Sequence, residues 1–195
     1  MLKNNYSSKK ITKVLLCMMF LSLAISDFYK EPNYTLISQE NNIQIRQYSE
    51  CVIAKTSIKN GDSDMNNSMF RILASYIFQG NDKNQSIPMT TPVLTRYDNE
   101  SYDMIFFMLD ANKIDDLPNP ISKDVSLETI NLNKVVAIEF AWWTTKNNIR
   151  KNRKIIEQYI KDNNLEVISD MMVAQYNPPM SWPLSRRNEL IFQIK

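Results

Sequence analysis

The sequence predicts an α+β fold built from two similar halves. Three observations carry this expectation. β-branched runs alternate with a period of two, two segments place apolar residues at helical spacing, and the order strand, strand, helix, strand, strand is read twice along the chain. No stretch reads as a parallel βαβ unit. With only two glycines in 195 residues, a glycine-rich phosphate loop is excluded, and nucleotide binding through one with it.

The first strand material is residues 43–58. Ile43-Gln44-Ile45-Arg46-Gln47-Tyr48 alternates apolar and polar, and Val52-Ile53-Ala54-Lys55-Thr56 follows as a second β-branched run. A turn-rich stretch at 59–64 leads into a helix over 65–78, in which Met69, Ile72, Leu73, Tyr76 and Ile77 share a face. Gln79-Gly80-Asn81 ends it in the manner of a glycine cap. Residues 92–97 and 102–109 form a hairpin across Asp98-Asn99-Glu100-Ser101. In the second half, 125–132 and 134–142 are strands. Residues 147–163 are a helix with Ile149, Ile155, Ile156, Tyr159 and Ile160 inward, and strands 170–176 and 189–195 close the chain.

Composition sets the class. With 44% hydrophobic and 23% charged residues, residues 27–195 suit one soluble domain, expected to act as a monomer. Residues 1–26 read as a leader. Lys3, Lys9, Lys10 and Lys13 precede an uncharged apolar run at 14–25, and Ala24 and Ser26 occupy the small positions of a cleavage site. The run is shorter than the roughly 20 residues that span a bilayer. The expectation is therefore a signal peptide and export to the periplasm or envelope of a bacterium. The alternative is an uncleaved N-terminal anchor, the sole membrane attachment expected. Of 23 basic and 21 acidic residues, the leader holds four lysines and no acid, which leaves 19 against 21. Nucleic acid is not the expected partner of such a domain. Cys51, the only cysteine beyond the leader, has no partner for a bridge and is expected in a buried strand. Lys146, Arg150, Lys151, Arg153, Lys154 and Lys161 line the outer face of the second helix, either a solvated face or a patch for an anionic surface.

Two segments have a composition that folding propensity alone does not call for. Ile87-Pro88-Met89-Thr90-Thr91-Pro92-Val93 brackets a methionine and two hydroxyls with prolines. Tyr176-Asn177-Pro178-Pro179-Met180-Ser181-Trp182-Pro183 runs into Arg186-Arg187-Asn188-Glu189. Both read as rigid loops. These motifs, together with Phe70-Arg71-Ile72-Leu73-Ala74-Ser75-Tyr76-Ile77-Phe78, Gly80-Asn81 and Leu117-Pro118-Asn119-Pro120, occur in an order that resembles the SOUL family of heme-binding proteins over residues 34–195.

The resemblance implies a distorted barrel of antiparallel sheets flanked by two helices. It further implies a groove beside the first helix for heme or another tetrapyrrole, held mainly by apolar contact. By that analogy Met69, Leu73, Tyr76 and Ile77 line the groove, and Met89, Met180 and Trp182 close it. Arg71, Arg186 and Arg187 are then the candidates for the propionates. The residues also admit a structural role: the apolar helix face as core, and Arg186 and Arg187 as ties to a carboxylate such as Glu189. Two departures stand out. Trp142-Trp143-Thr144 replaces a glycine-containing turn, and Gln79 replaces a glycine before Gly80.

The chain contains no histidine, which removes the commonest general base, the usual zinc ligand and the usual proximal heme ligand. If protein ligates a heme iron, the ligand is Met89, Met180, Tyr76 or Cys51; a heme without a protein axial ligand is the alternative. The function expected is that of an envelope carrier, buffer or scavenger of tetrapyrrole, with no catalytic residue assigned. Binding of another amphipathic molecule or of a protein in the same groove is the second expectation. A tetrapyrrole-modifying enzyme is the third.

Overall fold

The computed structural model describes residues 29–59, 65–98 and 101–195. The expected leader, most of the 59–64 turn and the hairpin tip at 99–100 lie outside the described residues. Nine antiparallel strands form one sheet that curls into a half-barrel, flanked by two helices. The strands are β1 (Tyr34–Glu40), β2 (Ile43–Tyr48), β3 (Cys51–Lys59), β4 (Val93–Asp98), β5 (Ser101–Phe107), β6 (Ser126–Ile130), β7 (Lys134–Phe140), β8 (Met172–Gln175) and β9 (Asn188–Gln193). The helices are α1 (Met65–Ile77), between β3 and β4, and α2 (Lys146–Asp162), between β7 and β8. The sheet order is β1-β2-β7-β9-β8-β4-β5-β3-β6. β2 pairs with β7 and β6 with β3, so the first strand of each sequence half joins the other half.

Alternation along the strands sorts the core into three clusters. Ile53, Leu94, Ile105, Phe107, Val135 and Ile191 face one another inside the curl. Their neighbours Val52, Ala54, Met104 and Phe106 face the opposite way and pack under α1, against Met69, Leu73, Tyr76 and Ile77. Val136, Ile138, Leu190 and Phe192 pack under α2, against Ile156. Each helix therefore covers its own stretch of sheet with one apolar face. Thr145 caps α2, its hydroxyl oxygen accepting the Asn148 N–H at 3.2 Å.

Four local features differ from expectation. β1 was not foreseen, because Tyr34 to Glu40 is exposed throughout. It is an edge strand paired only with β2 and interrupted by a bulge between Leu36 and Ser38, and so it lacks the alternation that a half-buried strand shows. Ile155 is exposed on α2 rather than inward, since the buried stripe runs through Asn152 and Ile156. Cys51 is half-buried rather than buried. At the end of α1 the left-handed residue is Gln79, at φ 73°, not Gly80. Gly80 is needed for proximity: a Cβ there would lie 2.5 Å from the Ser75 carbonyl oxygen, which accepts the Gly80 N–H at 2.8 Å. Trp142 is also left-handed, at φ 74°. Both glycine replacements noted in the sequence thus fall where the backbone favours glycine.

Candidate functional site

The most polar part of the half-barrel interior is built on Glu189, a buried residue of β9. Arg46 of β2 donates to both of its oxygens, from Nη1 at 2.8 Å and Nη2 at 2.9 Å. The Tyr176 hydroxyl donates to Oε2 at 2.8 Å, and Arg187 donates to Oε1 from Nη2 at 3.0 Å. Arg187 also reaches both oxygens of Glu31, at 3.0 and 2.9 Å, lies 3.4 Å from Glu139, and stacks over the Tyr176 ring at 3.7 Å. Burial alone would raise the Glu189 carboxyl, but the bonds and charges of Arg46 and Arg187 overcome it and hold the group below its ordinary value. Burial pushes the neighbouring Tyr48 phenol up to about 12. The network joins the N-terminal segment to strands from both sequence halves.

This geometry settles what Arg187 and Arg186 touch. Arg187 is committed to carboxylates. Arg186 is buried, donates to the carbonyls of Pro178 and Pro179, and lies 3.8 Å over the Trp143 ring; its Nε has no partner. The Arg187 N–H is accepted by Asn177 Oδ1 at 2.6 Å. The two arginines therefore brace the 176–187 loop. The other motif loop is braced as well, with the Thr90 hydroxyl donating to the Phe107 carbonyl at 2.6 Å. Met89 is half-buried against the α1 cluster.

The remaining predicted residues do not converge on one groove. Met69, Leu73, Tyr76 and Ile77 are all but inaccessible beneath α1. The Tyr76 hydroxyl donates to the Pro118 carbonyl at 2.9 Å, and burial pushes it up to about 12. Arg71, Met180 and Trp182 are exposed. The outward side of α1 carries Arg71 of the predicted set together with residues absent from it. Arg71 and Ala74 of α1 and Phe78 just past its end follow one line, with Phe70 at its border. Phe78 is 66% exposed, and Ile121, tied to Gly80 through its backbone N–H, is 68% exposed. Among the described residues Arg71 makes no ion pair. Aromatic residues off the buried stripe were the available signal in the sequence.

A cavity of about 650 Å³ opens elsewhere, between the 30–33 segment, the β2–β3 turn and the end of β5. Cys51, Val52, Met108 and Leu109 supply its apolar wall; burial raises the Cys51 thiol. Its rim carries Glu31, Glu50 and Lys30, and Lys30 is paired with Asp110. This rim disfavours an anionic ligand. Among the described residues, no three Cys, Asp or Glu side chains cluster to hold a metal ion.

The architecture is thus a half-barrel with a helix on each flank, an exposed apolar strip along α1 and a separate cavity. The chain belongs to the SOUL heme-binding protein family, whose sequence profile matches residues 29–193. No curated protein sequence matches it. Among solved structures it is similar to the EcmrR C-terminal domain, at 11% identity and TM-score 0.58, covering 83% of this chain and 98% of that one. It is also similar to a hydrolase from Listeria innocua, at 10% identity and TM-score 0.56, covering 82% and 94%. At these identities the likeness is one of fold.

Proposed function

We propose that the chain binds heme or a related tetrapyrrole on the outward side of α1, serving as a carrier, buffer or scavenger in the cell envelope. The observation that carries this reading is the exposure of Phe78 and of Ile121, which is tied to Gly80 through its backbone, about two turns along α1 from an Arg71 that among the described residues makes no ion pair. Membership of a heme-binding family supports the ligand class, and the leader-like N-terminus supports the location. A macrocycle is flat and apolar with anionic propionates at one edge. Phe70, Ala74, Phe78 and Ile121 would supply the apolar contact, at about 25 cal/mol per Å² removed from water, and Arg71 would hold a propionate.

The residues fit the porphyrin better than they fit the iron. Tyr76 is buried with its hydroxyl bonded to Pro118, and Cys51 lines the separate cavity. Neither side chain would hold an iron on this surface. Bound heme supplies the redox and ligand chemistry of its iron; the protein supplies the apolar bed and the cation.

Titration of the full chain with hemin, followed at the Soret band, tests the proposal. Arg71→Ala is expected to weaken binding about ten-fold, the worth of one exposed charge-assisted bond, while Cys51→Phe, which fills the cavity, leaves it unchanged. A free-hemin spectrum in excess protein defeats the proposal. The cavity supports a second reading, since about 650 Å³ suits a small molecule and its acidic rim suits a neutral or cationic amphipathic one. Loss of hemin binding in Cys51→Phe with none in Arg71→Ala would move the tetrapyrrole itself to the cavity.

A further inference from the structure

All three tryptophans of the chain lie in two loops that meet, and all are exposed: Trp142 by 53%, Trp143 by 45% and Trp182 by 64%. The Trp142 N–H donates to the Pro183 carbonyl at 3.0 Å, and the Asn188 amide donates to the Trp142 carbonyl at 2.8 Å. Met180, 96% exposed, and Leu184 stand beside them. Three prolines, a 3-10 turn at Pro183–Ser185 and the Arg186 brace fix this tip. Trp142 holds its position at φ 74°, a conformation costly for a bulky side chain. Large apolar side chains gathered and held outward are not a core that failed to close. They form a contact surface.

Charge shows what that surface meets. Neither residues 141–156 nor 176–188 contain an acidic residue. The first nine residues of α2 carry Lys146, Arg150, Lys151, Arg153 and Lys154, and its first turn has no acid. Lys146, in the first turn, opposes the helix dipole, so helix stability does not account for it. Among the described residues, of the five only Arg153 is in an ion pair, with Glu157. Tryptophans at an apolar tip with unpaired cations behind them match the interface of a bilayer, where indoles sit at headgroup level and cations meet lipid phosphates.

We infer that the 141–145 and 177–187 loops, with the first turns of α2, dock onto an anionic lipid surface. This contact is independent of the N-terminal segment and of the tetrapyrrole surface on α1. It is peripheral: among the described residues no helix is long and apolar enough to cross a membrane.

Because the tryptophans all lie in the patch, intrinsic fluorescence of the full chain reports on it alone, even when residues 14–25 also bind lipid. Vesicles of phosphatidylcholine mixed with phosphatidylglycerol are expected to shift the emission to shorter wavelength, and brominated acyl chains to quench it. Added salt should reverse both. Lys146→Gln, Arg150→Gln and Lys151→Gln should each weaken the shift about five-fold, with melting unchanged because all three are exposed at the helix surface. Trp182→Ala, at an exposed position, should reduce the shift and leave the fold intact. The inference is overturned by an emission that vesicles leave unmoved while the chain sediments with them, or by a shift that neutral vesicles and the charge variants reproduce in full. A shift that tracks protein concentration without lipid overturns it too, by making the patch a contact between copies.

Discussion

Replacing Glu189 by glutamine is expected to cost about 3–5 kcal/mol of stability, the range for removing one partner of a buried ion pair. The reason lies in what is left behind. Arg46 is 2% exposed, and among the described residues Glu189 is the only carboxylate it pairs with; Arg187 keeps Glu31 and Glu139. Arg46→Met combined with Glu189→Gln should recover part of the loss, because no uncompensated charge then remains. Denaturant unfolding measures both as shifts in midpoint at constant slope. The acid dependence carries a sign. The folded carboxyl lies below its ordinary 4.5, so its contribution is present above that value and is lost as pH falls through the depressed one. The gap between wild type and Glu189→Gln should therefore narrow in acid; a gap constant down to the acid transition would show that Glu189 is not held ionised by its arginines.

Leu73→Ala is expected to cost about 2–5 kcal/mol and to leave hemin affinity unchanged under folding conditions. Leu73 is fully buried between α1 and the sheet, in the cluster of Met69, Tyr76, Met104 and Phe106. Its truncation opens a void away from the outward side. Thermal melting reads the first effect and Soret titration the second. A large loss of hemin affinity in a folded variant would return the ligand to the inward residues that the family resemblance suggested.

These two residues mark where the sequence was legible and where it was not. Periodicity located both helices and eight of the nine strands, because burial on one face imposes a period that composition preserves. β1 escaped because an exposed edge strand imposes none. Periodicity likewise identified Met69, Leu73, Tyr76 and Ile77 as one face of α1, but it cannot say whether that face meets a ligand or the sheet. In the same motif Phe78 stood as the aromatic left over on the other side, with Phe70 at the border, its ring edge-on to buried Phe106. The tie of Arg187 to Glu189, two residues along, was legible as one of its two expected roles, but its partners Glu31 and Glu139 lie far along the chain and only the fold brings them to it. The double tryptophan read as a departure from a glycine turn; pairing it with Trp182 required the contact between the two loops.

The missing histidine keeps its meaning throughout. With the proposed surface on α1, a heme would be held by apolar area and one arginine rather than through an imidazole. Nuclear magnetic resonance of the isotopically labelled chain with ferric hemin tests this most directly, because the paramagnetic iron broadens nearby amide signals. The expected result is broadening confined to residues 70–81 and the backbone around Ile121, with the indole signals of Trp142, Trp143 and Trp182 retained. Broadening centred on residues 50–52 and 108–112, or lost indole signals beside a sharp α1, would contradict it.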